Sequence, residues 1–206
     1  MTPVVERSND GGDTWVDITP LYTGIAQVAS LEGIAVDAVE AIAAIGPACE
    51  TRALRSFTNG RFWESYPEVL SGSRFIDLTT SSTVHLGGIS VPAPCVEARG
   101  LRAVRSVAAV ICGDVAFVRS EESWTPLSAV AAVAVAVDGA DVIVGHVDER
   151  CEGLALTRYL VSDVEQPSSP AGCAEGVDTR QPVAITFEVR GTLVWSNDAI
   201  AVVPSP

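Results

Sequence analysis

A chain of 206 residues in which 48% of the side chains are apolar is long enough to bury one domain core and too apolar to remain disordered. Its net charge is −13 and all thirteen basic residues are arginine, so its surface repels phosphate backbones and anionic headgroups, and neither nucleic acid nor a membrane surface is an expected partner. The longest apolar run, 127–137, is interrupted by Ser128 and followed by Asp138 and Asp141; it is too short to cross a bilayer, and no membrane insertion is expected.

In chain order, 4–7 reads as a strand that runs into Ser8-Asn9-Asp10-Gly11-Gly12-Asp13-Thr14-Trp15. This is a turn with a task for each residue. Gly12 takes a backbone angle closed to other residues, Asp10 and Ser8 accept hydrogen bonds from their own turn, and Trp15 packs beneath it with its indole N–H seeking an acceptor. A Ca²⁺ loop at Asp10 and Asp13 fails because too few oxygens are available. Next, 25–45 offers two readings. Ile25, Val28, Leu31, Ile34, Ala38, Ile42 and Ile45 stand at helical spacing, whereas 33–39 followed by 40–46 reads as a strand pair. The strand reading is preferred because of the turn upstream, and an α/β domain is the alternative fold.

A worn copy of the turn follows at Ser56-Phe57-Thr58-Asn59-Gly60-Arg61-Phe62-Trp63, with Ser56, Gly60 and Trp63 at matching spacing; Trp63 lies 48 positions after Trp15. A weaker echo ends at Trp124. Strand pairs are expected at 74–79 with 83–87, 129–137 with 141–145, and 182–189 with 191–195, the first strand of each being the more deeply buried. The two chain ends read as parts of one blade.

The first turn matches S-x-D-x-G-x-T-W at every fixed position. It resembles the Asp-box of the bacterial-neuraminidase-repeat, sialidase-like families, in which the box closes a hairpin on the rim of a β-propeller blade. The resemblance implies an all-β fold: a single small β-propeller over 1–206, with about five four-stranded blades, some reduced, closed into a ring by the N- and C-terminal strands. It implies structural roles for Ser8, Asp10, Gly12, Thr14, Trp15, Ser56, Gly60 and Trp63. It also implies a non-catalytic ligand- or partner-binding scaffold, a monomer without cofactor or metal, whose partner is a protein or a glycan. The alternative is a small sialidase-like glycoside hydrolase with a carboxylate pair at the propeller mouth. The Arg-Ile-Pro segment that precedes the first box in sialidases is absent, since Pro3-Val4-Val5-Glu6-Arg7 stands there.

The mouth is expected on the loops 46–51, 89–100 and 147–153, with Glu50, Arg52, Glu97, Arg99, Asp148, Glu149 and Arg150 as candidate binding residues. His146 and Asp148 share a strand face, but with His85 the only other imidazole a zinc site is not expected. No G-x-S-x-G elbow, Walker loop or G-x-G-x-x-G occurs. Five cysteines leave at least one unpaired within the chain. In an oxidising compartment the expected disulfides are Cys151–Cys173 and, second, Cys49–Cys95, with Cys112 a small buried apolar residue. Met1 is followed by no charged-then-apolar leader, so the protein is expected in the cytoplasm, or outside the cell or in the periplasm if a leader has been removed.

Overall fold

In the computed structural model the described residues are 3–10, 12–161, 167–197 and 199–204. The architecture is all-β and of the β-propeller type, with small antiparallel up-and-down sheets following one another along the chain. They fall into two compact units, Met1–Pro92 and Ala93–Pro206.

In the first unit β1 (Glu6–Arg7) pairs with β2 (Val16–Asp17) as a two-stranded ribbon. One four-stranded sheet follows in the order β3 (Ile25–Ala35), β4 (Ala38–Ile45), β5 (Glu50–Ser56), β6 (Glu64–Ser65). After a single helical turn, α1 (Pro67–Leu70), a three-stranded sheet is made of β7 (Arg74–Ile76), β8 (Thr83–Leu86) and β9 (Ser90–Pro92). The segment 25–45 is therefore strand, despite its helical spacing of apolar residues. Its hairpin turns at Val36-Asp37, earlier than the sequence reading placed it, and β3 carries three register shifts that absorb the extra residues.

The second strand of each larger sheet is the buried one. β4 pairs on both edges and is covered on both faces: Ala43 packs with Ile25 and Leu54, whereas Ile42 on the other face packs with Ala53 and Phe75. β3 is mostly exposed, which corrects the expectation that the first strand of each pair is the inner one. An alanine-rich strand suits this place, because small side chains let both neighbouring layers approach. Glu40 is the polar exception on β4. It is 8% exposed and is held by the cross-strand Arg55, whose Nε and Nη2 lie 2.7 and 2.6 Å from Oε2, while Ser73 Oγ donates to Oε1 at 3.2 Å.

The second unit holds three sheets: β10 (Ala98–Val104), β11 (Val107–Cys112), β12 (Val115–Ser120) and β13 (Ser123–Pro126); β14 (Ala132–Asp138), β15 (Asp141–His146), β16 (Gly153–Leu160) and β17 (Ser168–Glu175); and β18 (Val183–Glu188), β19 (Gly191–Ser196) and β20 (Ala199–Pro204). One core joins Ala109, Ile111 and Val118 of the first sheet to Val142, Val144 and Tyr159 of the second. Another joins Ile143, Leu154 and Leu156 to Ile185, Val194 and Val203. The turn before Trp124 is a tight two-residue hairpin with Glu121 at φ 57° rather than a third copy of the Ser8–Trp15 turn.

The terminal strands do not share a sheet as expected: β1 pairs with β2, and β20 pairs with β19. The backbone ahead of β1 is satisfied within its own unit, since Val5 N–H donates to Thr19 Oγ1 and Val5 C=O accepts from Ile18 N–H, both at 2.8 Å.

The two long turns share one hydrogen-bond plan. Ser8 Oγ accepts from Gly12 N–H at 2.7 Å, and Asp10 Oδ1 accepts from Thr14 N–H at 2.9 Å. Likewise Ser56 Oγ accepts from Gly60 N–H at 2.9 Å, and Thr58 Oγ1 accepts from Phe62 N–H at 2.9 Å. Asp10 also takes the Thr14 hydroxyl at 2.6 Å, and this bond leads the set that lowers its pKa to about 2. Trp15 is 44% exposed and its indole donates to Gly12 C=O of its own turn. Trp63 instead packs against Val5, Ile18 and Val39, and its indole donates to Ile18 C=O at 2.8 Å.

Two disulfides are present. Cys151–Cys173 is the pairing expected. Cys95, however, bonds Cys112 and not Cys49, which is free and exposed. The register explains the correction. Ala98 on β10 faces Cys112 on β11, so the chain just before β10 brings Cys95 to the end of that same hairpin.

Candidate functional site

A polar pocket of about 290 Å³ opens in the second unit, where the loop 147–152 and the link 127–131 overhang the sheet β14–β17. Its floor comes from β16, where alternation puts Ala155, Thr157 and Tyr159 on one face. His146 ends β15 and is buried; its Nε2 lies 2.8 Å from Thr157 Oγ1. The Tyr159 hydroxyl accepts from Ala129 N–H at 2.8 Å and lies 3.1 Å from Ser128 Oγ, which pins the overhanging link to the sheet.

The wall is a self-contained turn. Asp148 Oδ1 accepts from the backbone N–H of Arg150, and the Arg150 guanidinium returns as a fork, with Nε 2.9 Å from Oδ1 and Nη2 2.8 Å from Oδ2. The fork leads the set of bonds that hold the Asp148 carboxyl well below the usual carboxylate range. Val147 N–H donates to Ala131 C=O, Gly176 N–H donates to Glu152 C=O, and Cys151–Cys173 ties the loop to β17. Ser128, Ser168 and Ser169 complete a lining rich in hydroxyls. Such a site offers neutral donors and acceptors and one neutralised ion pair. Among the described residues no group of three or more His, Cys, Asp or Glu side chains is placed to hold a metal.

The residues read from the sequence divide between the two units. In the second, Asp148 and Arg150 line the pocket together, and Glu149 is exposed on the same loop. Arg99 clamps backbone: its guanidinium donates to Gly113 C=O at 3.0 Å and Ala132 C=O at 3.3 Å. Glu97 is exposed just ahead of β10. In the first unit Glu50 and Arg52 form an exposed ion pair at 2.6 Å beside the β4–β5 turn. A pocket of about 400 Å³ in that unit is lined in part by Glu40, Arg55, Glu68 and Arg74. The sequence reading missed Thr157, Tyr159 and Ser128. The period-2 pattern of 153–160 marks the first two as one face of a strand, but nothing local marks which loop covers that face.

No protein-family model matches the chain, and no curated protein matches its sequence.

Proposed function

We propose that this chain is a non-catalytic binding module of the propeller type, working in an oxidising extracellular or periplasmic setting and engaging a protein or glycan through the pocket around His146, Asp148 and Arg150. The observation that carries the reading is the preorganised polar wall: an Asp148–Arg150 fork, itself braced by the Cys151–Cys173 bond, beside a row of hydroxyls. Such a wall suits a neutral hydroxyl- or amide-bearing partner, because every charge on it is already matched. The two disulfides support the compartment, since such bonds persist where thiols are not kept reduced. The shared hydrogen-bond plan at 8–15 and 56–63 supports reading both turns as Asp-boxes with a structural role. The glycoside-hydrolase alternative requires a carboxylate free to act as acid or nucleophile. Asp148 spends both oxygens on Arg150, which favours binding over turnover.

A glycan and peptide array probed with the intact, oxidised protein tests this, with Arg150→Ala as the site variant. Binding that falls at least tenfold in Arg150→Ala, without turnover of aryl glycosides, is expected. Retained binding in that variant would refute the site, and turnover abolished by Asp148→Asn would replace the function.

A further inference from the structure

Three side chains of the sheet β7–β9 stand in one row of the first unit. The register sets Phe75 opposite His85 and His85 opposite Ser90. Phe75 is buried and stacks on the imidazole with ring centroids 4.4 Å apart, whereas Ser90 is exposed. Ser90 Oγ lies 3.0 Å from His85 Nδ1, and Asp77 Oδ2 lies 3.2 Å from His85 Nε2. The other oxygen of Asp77 is its anchor. It accepts from the Thr79 hydroxyl at 2.6 Å and from the N–H groups of Thr79 and Thr80 at 2.8 and 3.0 Å. The Thr79 hydroxyl leads the bonds that lower the Asp77 pKa to about 2, so this group is a carboxylate at neutral pH. A carboxylate only accepts. A neutral imidazole beside it therefore carries its proton on Nε2 and leaves Nδ1 to accept from the Ser90 hydroxyl. Carboxylate, imidazole and hydroxyl in this order activate a serine, here with the roles of the two ring nitrogens exchanged.

The backbone adds a donor. Leu86 N–H donates to Ile89 C=O at 2.9 Å across the turn at Gly87 and Gly88, so 85 and 90 form the next, non-hydrogen-bonded pair of the hairpin. The N–H of Ser90 thus points away from β8, at the last strand of the sheet, where it can meet an oxyanion formed on its own side chain.

We propose that Ser90 captures one acyl group per chain from an activated aryl ester, with His85 as its base and Asp77 as the residue that positions His85. Oγ bonds the acyl carbon as its proton passes to Nδ1. The bond from that carbon to the phenolic oxygen then breaks, and the leaving oxygen takes the electron pair and the proton from Nδ1. The product is an ordinary alkyl ester. Its serine alkoxide is a far poorer leaving group than a phenolate, so the acyl group stays in place and the capture is not turnover. The capture goes beyond the binding function proposed above and does not rest on it.

Mixing the oxidised protein with 4-nitrophenyl acetate at pH 8 tests the assignment, in a Cys49→Ser background because that exposed thiol would compete. Absorbance follows the nitrophenolate and peptide mapping locates the acetyl group. Release of one equivalent per chain, then a fall in rate of at least tenfold, with the acetyl group on Ser90, is expected. Ser90→Ala removes an exposed hydroxyl and should abolish this phase, and His85→Gln should slow it about a hundredfold. Ser71, exposed and bonded to Glu68 C=O, is the internal control, so the mapping decides even where His85→Gln fails to fold. Acetyl spread equally over Ser71 and Ser90, an undiminished phase in Ser90→Ala, an equal rate in folded His85→Gln, or release continuing unslowed past one equivalent would each overturn the proposal.

Discussion

Gly60 is the position at which the architecture of the first unit is most exposed to a single methyl group. Its φ is +82°, and a Cβ built there would stand 2.3 Å from Ile18 Cβ and 2.6 Å from Ile18 Cγ2. Ile18 cannot step aside, because it is buried and its carbonyl receives the Trp63 indole. Gly60→Ala therefore incurs a left-handed backbone cost of about 1–2 kcal/mol and an overpacking cost of about 1–3 kcal/mol. At about 2–4 °C per kcal/mol for a chain of this size, a combined loss of about 3 kcal/mol lowers the melting midpoint by about 6–12 °C. Gly46→Ala is the control. Its φ is +67° but nothing lies within 4 Å of the added Cβ, so only the backbone part applies. The contact part is isolated by a double-mutant cycle with Ile18→Gly, which removes Cβ together with Cγ2 and should recover about 1–3 kcal/mol of coupling. Thermal melts followed by circular dichroism and tryptophan fluorescence provide the readout. Equal losses in the two glycine variants, together with zero coupling to Ile18, would refute the claim that the β1–β2 ribbon is seated directly on the second turn.

Non-reducing peptide mapping should recover Cys95–Cys112 and Cys151–Cys173, and iodoacetamide should label Cys49 in the native protein; a Cys49–Cys95 peptide would contradict the register of β10 against β11. Replacing Cys151 and Cys173 together by Ser should cost about 3 kcal/mol for a loop of this length, read as a lower denaturation midpoint. Acid stability follows from Asp10 and Asp77, whose pKa values are both lowered from 3.8 to about 2, with Thr14 and Thr79 respectively supplying the largest cause. A carboxyl with a depressed folded pKa contributes stability above its unfolded value and loses it as pH falls through the folded one. The melting midpoint should therefore decline between about pH 4 and pH 2, and Asp77→Asn should flatten that limb while leaving its shape above pH 5 unchanged. An acid limb identical to that of the parent protein would sink the assignment.

The first turn was legible because its chemistry is local: Ser8, Asp10, Gly12 and Thr14 satisfy one another within seven residues, so the pattern survives in the one-dimensional string. The strands were legible where Gly or Asp punctuated them, as at Asp138 and Asp141. Segment 25–45 was ambiguous because an alanine-rich strand buried on both faces has no period-2 signal to set against a helical one. The Cys95–Cys112 bond was hidden by treating Cys112 as mere filler, when its place at the end of a hairpin depended on the register shift between Arg99 and Arg102. Asp148 and Arg150 were found as loop charges. Their fork, and the hydroxyl face opposite, depended on the 147–152 loop being tied back to Ala131 and Cys173, contacts made by backbone and disulfide that leave little trace in composition.

The two turns also show what such a corner physically requires. Both keep a serine oxygen that receives the N–H four residues on, and both keep an oxygen two residues later that receives a second N–H. Their difference is paired. Asp10 has two oxygens and meets three donors, the N–H and the hydroxyl of Thr14 and the hydroxyl of Ser8, whereas Thr58 has one oxygen, which accepts the N–H of Phe62 and lies 3.3 Å from Ser56 Oγ. Once the donor hydroxyl is replaced by phenylalanine, a carboxylate at 58 would keep a charge with one bond fewer to stabilise it, so Asp to Thr and Thr to Phe are a matched exchange rather than decay. The freed constraint is used elsewhere. Trp63 no longer closes on its own turn, as Trp15 does on Gly12, but reaches Ile18 and fastens the second corner to the first.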